Sequence, residues 1–163
     1  MDYLQLDETK KQATAKELNI LLADYHLYYQ KLRNFHWNIV GREFFVLHEK
    51  FETLYNDAKI KVDEIAERIL TLRFTPISNY SDYLKASSLE EAPTDLKDKA
   101  MVTALLKDHG KLLAQLKKVL NLADEAGDEG TIDMISGYIS HLEKESWMLD
   151  AWLMNASDNH PSA

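Results

Sequence analysis

The stretch from Tyr25 to Ile69, YHLYYQKLRNFHWNIVGREFFVLHEKFETLYNDAKIKVDEIAERI, decides the fold. Before Gly41 its apolar residues step by three and four: Tyr25, Tyr28, Tyr29, Leu32 and Phe35. After Gly41 the same spacing resumes with Phe51, Leu54, Tyr55, Ala58, Val62, Ile65 and Ile69. That is the apolar stripe of an α-helix on each side of one glycine, with no period-2 alternation. The stretch therefore reads as two long helices joined by a short turn.

Working outward, the first stripe extends back through Leu18, Leu21 and Leu22, and the second runs on to Leu72. Pro76 and Pro93 bracket a Ser- and Tyr-rich connector, residues 77–92, whose SDYLKASSLEEA predicts a short extra helix. A third stripe runs from Met101 to Leu120 and a fourth from Ile132 to Trp152, separated by Gly127 and Gly130. Helices are expected at about 7–39, 43–73, 94–125 and 131–155, in a single domain over 1–163. Pro93-Thr94-Asp95 is the expected cap of the third and Thr131 of the fourth. Gly110 and Gly137 fall inside helices, at a cost of about 1 kcal/mol each relative to alanine. Four such helices with one long middle connection make an all-α four-helix bundle.

Composition supports this reading. The 163 residues contain only five glycines and three prolines, too few for the turns of a sandwich or barrel. There is no cysteine, so thiolate metal sites and thiol nucleophiles are excluded. No apolar run reaches the roughly 18 residues of a membrane span, and the N-terminus lacks a signal-peptide pattern. A soluble intracellular protein is expected. Asp and Glu number 27 against 19 Lys and Arg, for a formal charge of −8. Such a surface repels phosphate backbones. Lys107, Lys111, Lys117 and Lys118 read as a solvated helix face.

The chemistry-bearing residues concentrate on the second helix. None of the six histidines has Glu three residues before it, so the Glu-x-x-His mark of a di-iron site inside one bundle is missing. Instead His48 and Glu52, and again Asp63 and Glu67, are paired at i, i+4. The two pairs lie within about 20° of one helix face but about 16 Å apart along the axis. One ion cannot touch both within one chain. Either they are separate weak sites, or two antiparallel copies of the helix bring them together across a two-fold axis. Ala58, near the midpoint, is small enough for such a crossing. His36, at the end of the first helix, is well placed to join His48. Asp124, Glu129 and Asp133 flank the last turn, where acids also complement a helix N-terminus. His26, His109, His141 and His160 read as structural or surface residues.

The pattern His36, eleven residues, His48, three residues, Glu52, ten residues, Asp63, three residues, Glu67 resembles the signature of the Dps family, the small ferritin-like proteins of bacteria. Helix layout and connector extend the resemblance over most of the chain. It implies a ferritin-like bundle and a ferroxidase shared between two subunits, with iron as the metal. His36, His48 and Glu52 would come from one chain and Asp63 and Glu67 from its mate. At position 52 the family pattern usually has Asp, so the Glu here is a departure. The resemblance further implies a hollow dodecamer that oxidises Fe(II) with hydrogen peroxide or oxygen and stores Fe(III) mineral, protecting against oxidative damage. Asp124, Glu129 and Asp133 would line an iron entry pore at three-fold axes. Trp37 would be the aromatic near the iron that takes part in electron transfer, and Glu49 a mineral-nucleation residue. Some members are nucleoid proteins that bind DNA through lysine-rich tails; the mixed-charge tail here argues against it. A bacterial cytoplasmic location is implied.

Overall fold

The computed structural model describes residues 3–154. Among these the elements are α1 (Glu8–Asn38), α2 (Phe44–Thr71), α3 (Tyr80–Ala86), α4 (Asp98–Ala126) and α5 (Glu129–Leu153). The four long helices and the short connector helix are those the hydrophobic spacing predicts. The expected end of the last helix at position 155, and His160, lie outside the described residues.

α1 is the hub: it packs on α2, α4 and α3, and α4 packs on α5. The predicted stripes supply the core. Leu18, Leu21, Leu32, Phe35, Phe51, Ile65, Leu105, Leu112, Leu116 and Ile135 are all fully buried. Each such side chain contributes about 1.5–3 kcal/mol of transfer free energy. α3 is fastened to α1 by the buried Asp24 carboxylate, which accepts from the Ser87 hydroxyl at 2.7 Å and the Ser88 amide at 2.6 Å. Burial pushes the Asp24 carboxyl above its ordinary value despite these donors.

The seam between α2 and α5 is built differently. Long polar side chains bridge it: Lys50 to Glu145, Asp57 to His141 at 3.5 Å, Glu64 to Tyr138, and Arg68 to Asp128. Lys61 lies over the Tyr138 ring at 5.1 Å. Elsewhere Lys31, on α1, pairs with Asp108, on α4, at 2.6 Å, both buried. Apolar periodicity cannot foresee these contacts, because only the pairing of residues far apart in sequence makes such charges tolerable inside.

Two expected caps are corrected. α4 begins at Asp98 with Lys97 at its N-cap, not at residue 94. The Asn34 side chain donates to the carbonyls of Ala92 at 2.9 Å and Pro93 at 3.4 Å, holding that segment against α1 before the helix starts. α5 is capped by Asp128, not Thr131: the Asp128 carboxylate accepts the Thr131 amide at 3.1 Å. Thr131 is buried one turn inside, and its hydroxyl donates to the same carboxylate at 2.5 Å.

At Gly110 and Gly137 a Cβ would meet nothing within 4 Å. Gly127 is needed for conformation: φ is +66°, and the Asp128 amide returns to Ala123 O at 2.9 Å to close α4. α2 ends in the same motif, with Phe74 N on Ile69 O at 3.1 Å, but Arg73 holds the left-handed position at φ 72°. A side chain there costs about 1–2 kcal/mol.

Candidate metal centre

α1 ends and α2 begins so that His36 and His48 meet. The Gly41 turn (φ 104°) reverses the chain, and the two imidazoles stack with centroids 3.7 Å apart. His36 Nδ1 bonds His48 O at 2.8 Å, and His48 Nδ1 bonds His36 O at 2.8 Å. A carbonyl oxygen only accepts, so both Nδ1 atoms carry hydrogen and donate. In the imidazole form of either ring the lone pair resides on Nε2. This is the arrangement in which a backbone carbonyl fixes the tautomer of a metal-binding histidine. Phe44 stacks on His48 at 4.9 Å, and Tyr55 stands edge-on to His36 at 5.3 Å.

Glu52 lies one turn beyond His48 and is exposed. The Tyr55 hydroxyl donates to its Oε1 at 3.3 Å. Burial, and then the Glu52 charge, raise the Tyr55 phenol above its ordinary value. Asp63 and Glu67 are exposed about 16 Å further along α2. Among the described residues no three His, Asp or Glu side chains stand close enough to hold one ion. One chain thus unites the two histidines, but does not join Glu52 to them or bring Asp63 and Glu67 near.

Ala58 is not available for a helix crossing, because it is fully buried in its own bundle. At that level α2 presents Asn56, Lys59 and Ile60 outward, and Ile60 is 59% exposed. Trp37 is not buried either; it is 58% exposed, with the Arg33 guanidinium 4.7 Å from its ring centroid. Glu49 is exposed. His26 stacks on Tyr83 at 3.9 Å. His141 on α5 lies 3.5 Å from the Asp57 carboxylate on α2, a contact that sequence spacing on one helix could not reveal.

At the other end of α2, Asp124, Glu129 and Asp133 are exposed around the α4–α5 turn. The turn is held from below by Arg68, whose Nε donates to Thr131 Oγ1 at 2.8 Å while its guanidinium pairs with Asp128. A Cβ on Gly130 would fall 2.8 Å from that guanidinium, so the glycine leaves room for it. Sequence reasoning missed Arg68 and Asp128. The Asp-x-x-Thr spacing at 128 and 131 is the signal that could have found the cap.

Comparison with known proteins identifies the family. The model of the ferritin-like domain matches residues 15–158. DNA protection during starvation protein 2 of Bacillus anthracis is 43% identical over 136 residues, covering 83% of this chain and 93% of that protein. The DNA protection during starvation protein of Brevibacillus brevis is 41% identical, covering 88% and 96%. The crystal structure of the Dps protein of Vibrio cholerae O1, described as a member of a superfamily of ferritin-like diiron-carboxylate proteins, superposes with a TM-score of 0.91. It is 45% identical and covers 94% of this chain and 97% of that one. The chain, an all-α bundle with its short helix in the crossover, belongs to the ferritin-like family and within it to the Dps proteins.

Proposed function

We propose that this protein is a ferroxidase and iron-storage protein whose catalytic site is shared between two-fold-related subunits of a dodecamer. The observation that carries the reading is the reciprocal lock between His36 and His48, which stacks the two rings and leaves the Nε2 of each free of that lock, with Glu52 one turn beyond His48. Two imidazoles alone make a weak site. A mate presenting Asp63 and Glu67 across the interface supplies the carboxylates, and symmetry makes two such sites per pair.

The donor set suits the substrate. Carboxylate oxygen and imidazole nitrogen bind Fe(II) and tolerate Fe(III). A partly filled coordination shell leaves positions for the oxidant. Two ferrous ions give up one electron each, and hydrogen peroxide becomes two hydroxide ions. Glu52 is longer by one methylene than the Asp of the family pattern, and its carboxylate accepts a hydrogen bond from Tyr55, the residue whose ring stands edge-on to His36. The product passes inward as mineral, with Glu49 a nucleation point and Trp37 an electron-transfer side chain at the rim. The location is the bacterial cytoplasm. Among the described residues no helix is long and apolar enough to cross a membrane.

The direct test has two parts. Native mass should be about 226 kDa for twelve chains. Fe(II) followed by peroxide should leave iron inside the eluted particle, with stoichiometric loss of both reactants. A monomer that retains no iron would overturn the reading.

Asp124, Glu129 and Asp133 are proposed as the iron entry pore. Three exposed acids repeated about a three-fold axis focus cations by their summed field. Neutralising all three with Asn and Gln should slow uptake of added Fe(II), and slow it most at low salt, while iron loaded beforehand reacts with peroxide at the unchanged rate. Stopped-flow traces in which both steps slow equally would count against a pore.

The relatives' names speak of DNA protection, and a nucleoid-binding role is the second reading. The formal charge of −8 disfavours it. A salt-sensitive gel shift at about 0.1 M salt would revive it.

A further inference from the structure

We propose that Tyr28 and His109 form a redox-active pair that captures a one-electron oxidant as a neutral tyrosyl radical in the middle of the bundle. Tyr28 Oη lies 2.7 Å from His109 Nε2, and both side chains are buried. The direction of that bond follows from the next two. The Ser146 hydroxyl donates its only hydrogen to Leu142 O at 2.7 Å. Its oxygen must then accept from His109 Nδ1, at 2.8 Å. His109 Nε2 is left with the lone pair, so Tyr28 donates and His109 is a neutral base.

The surroundings keep it so. His109 is faced by Tyr28 from α1, Lys50 from α2, and Ser146 and the nearby His141 from α5. Burial, with the Lys50 and His141 charges, lowers the His109 pKa to about 4. Burial raises the Tyr28 phenol well above its ordinary range. The pair is therefore phenol and imidazole across the physiological range. That is the state in which loss of an electron from the ring is coupled to transfer of its proton along a short hydrogen bond.

A path leads to this pair from the α2–α5 seam. Tyr138, 8% exposed with its hydroxyl on Glu64, meets the Tyr25 ring edge-on at 6.3 Å. Tyr25 meets Tyr28 edge-on, also at 6.3 Å. Tyr25 is the buried side chain whose hydroxyl finds no partner among the described residues. It can pass an electron but has nowhere to put a proton, so the radical settles on Tyr28.

The oxidant is named by class: the hydroxyl radical that arises when ferrous iron meets peroxide. It gains one electron and becomes hydroxide. Tyr28 loses that electron, and its phenolic proton moves to His109 Nε2, giving a tyrosyl radical beside an imidazolium. A ferrous ion returns the electron, becoming ferric, and the proton goes back to the phenolate oxygen.

The test omits iron, so it stands apart from the ferroxidase reading. Wild-type protein, flash-oxidised with a ruthenium polypyridyl and persulfate and freeze-trapped, should show a tyrosyl electron-paramagnetic-resonance signal. Tyr28→Phe should lose it. His109→Gln, which keeps an acceptor at that place but no base, should lose it too. Tyr25→Phe removes an unpartnered hydroxyl, should fold as the wild type does, and should weaken the signal by breaking the path. No signal in the wild type, an undiminished signal in Tyr28→Phe, or a wild-type signal in His109→Gln overturns the pair. Should Tyr28→Phe not assemble, His109→Gln decides.

Discussion

Mixed assemblies of two inactive variants are expected to recover about a quarter of the wild-type rate of ferrous iron oxidation. The first variant is His48→Ala with Glu52→Ala; the second is Asp63→Ala with Glu67→Ala. Each alone damages every site. Loss of an outer-shell partner already costs about 10- to 100-fold at a metal site, and loss of two ligands removes fast oxidation altogether. In a mixed pair the damage is distributed unequally. One site combines both defects and is dead. The other takes its histidine side from the second variant and its Asp63 and Glu67 from the first, and every ligand is intact. Random pairing makes about half of the dimers mixed, each with one good site in two, which gives about one site in four. The variants should be co-expressed with different tags, and the initial rate of peroxide-driven oxidation read by stopped-flow absorbance. Glu52, Asp63 and Glu67 are exposed and His48 is only half-buried, so the bundle should survive all four changes. Failure of the mixture to exceed its parents would mean that the two pairs do not share a site.

The same geometry shows how far the sequence could be read. The four stripes that step by three and four became the four long helices, because a side chain's place on a helix face follows from its position alone. The His48–Glu52 and Asp63–Glu67 pairs were visible for the same reason. The distance between them, set by the rise per residue, already barred a one-chain site. Contacts between elements were a different matter. Nothing local says that Lys50 will meet Glu145, that Asp57 will meet His141, or that Lys31 will be buried against Asp108. Ala58 is ambiguous in the same way, since smallness suits a crossing between copies as well as a core, and only the packing shows which. The mutual hydrogen bonds of His36 and His48 were beyond spacing too. They depend on the path of the Gly41 turn, which brings each backbone carbonyl to the Nδ1 edge of the other ring.

Asp128→Ala is expected to cost about 3–5 kcal/mol, because it leaves a largely buried guanidinium without its carboxylate. Asp128 is 2% exposed and performs two tasks. It caps α5 through the Thr131 amide and hydroxyl, a role worth about 1 kcal/mol by itself. It also neutralises Arg68, whose side chain is 17% exposed and reaches across from α2 beneath Gly130. For a chain of this size the loss lowers the thermal midpoint by roughly 10 °C, measured at fixed protein concentration because assembly adds to stability. Two further variants separate the tasks. Asp128→Asn keeps a good cap but removes the charge, and should fall between wild type and Asp128→Ala. Arg68→Met with Asp128→Ala should be less unstable than the two single losses combined, since the second change removes the charge that the first had stranded. The effect should not stop at stability. Glu129 and Asp133 ride on the turn that Arg68 and Asp128 hold, so Asp128→Ala should also slow Fe(II) uptake while leaving the reaction of preloaded iron with peroxide unchanged. A midpoint within about 2 °C of wild type would show that the α4–α5 turn is held by other contacts and that the Arg68–Asp128 pair is dispensable.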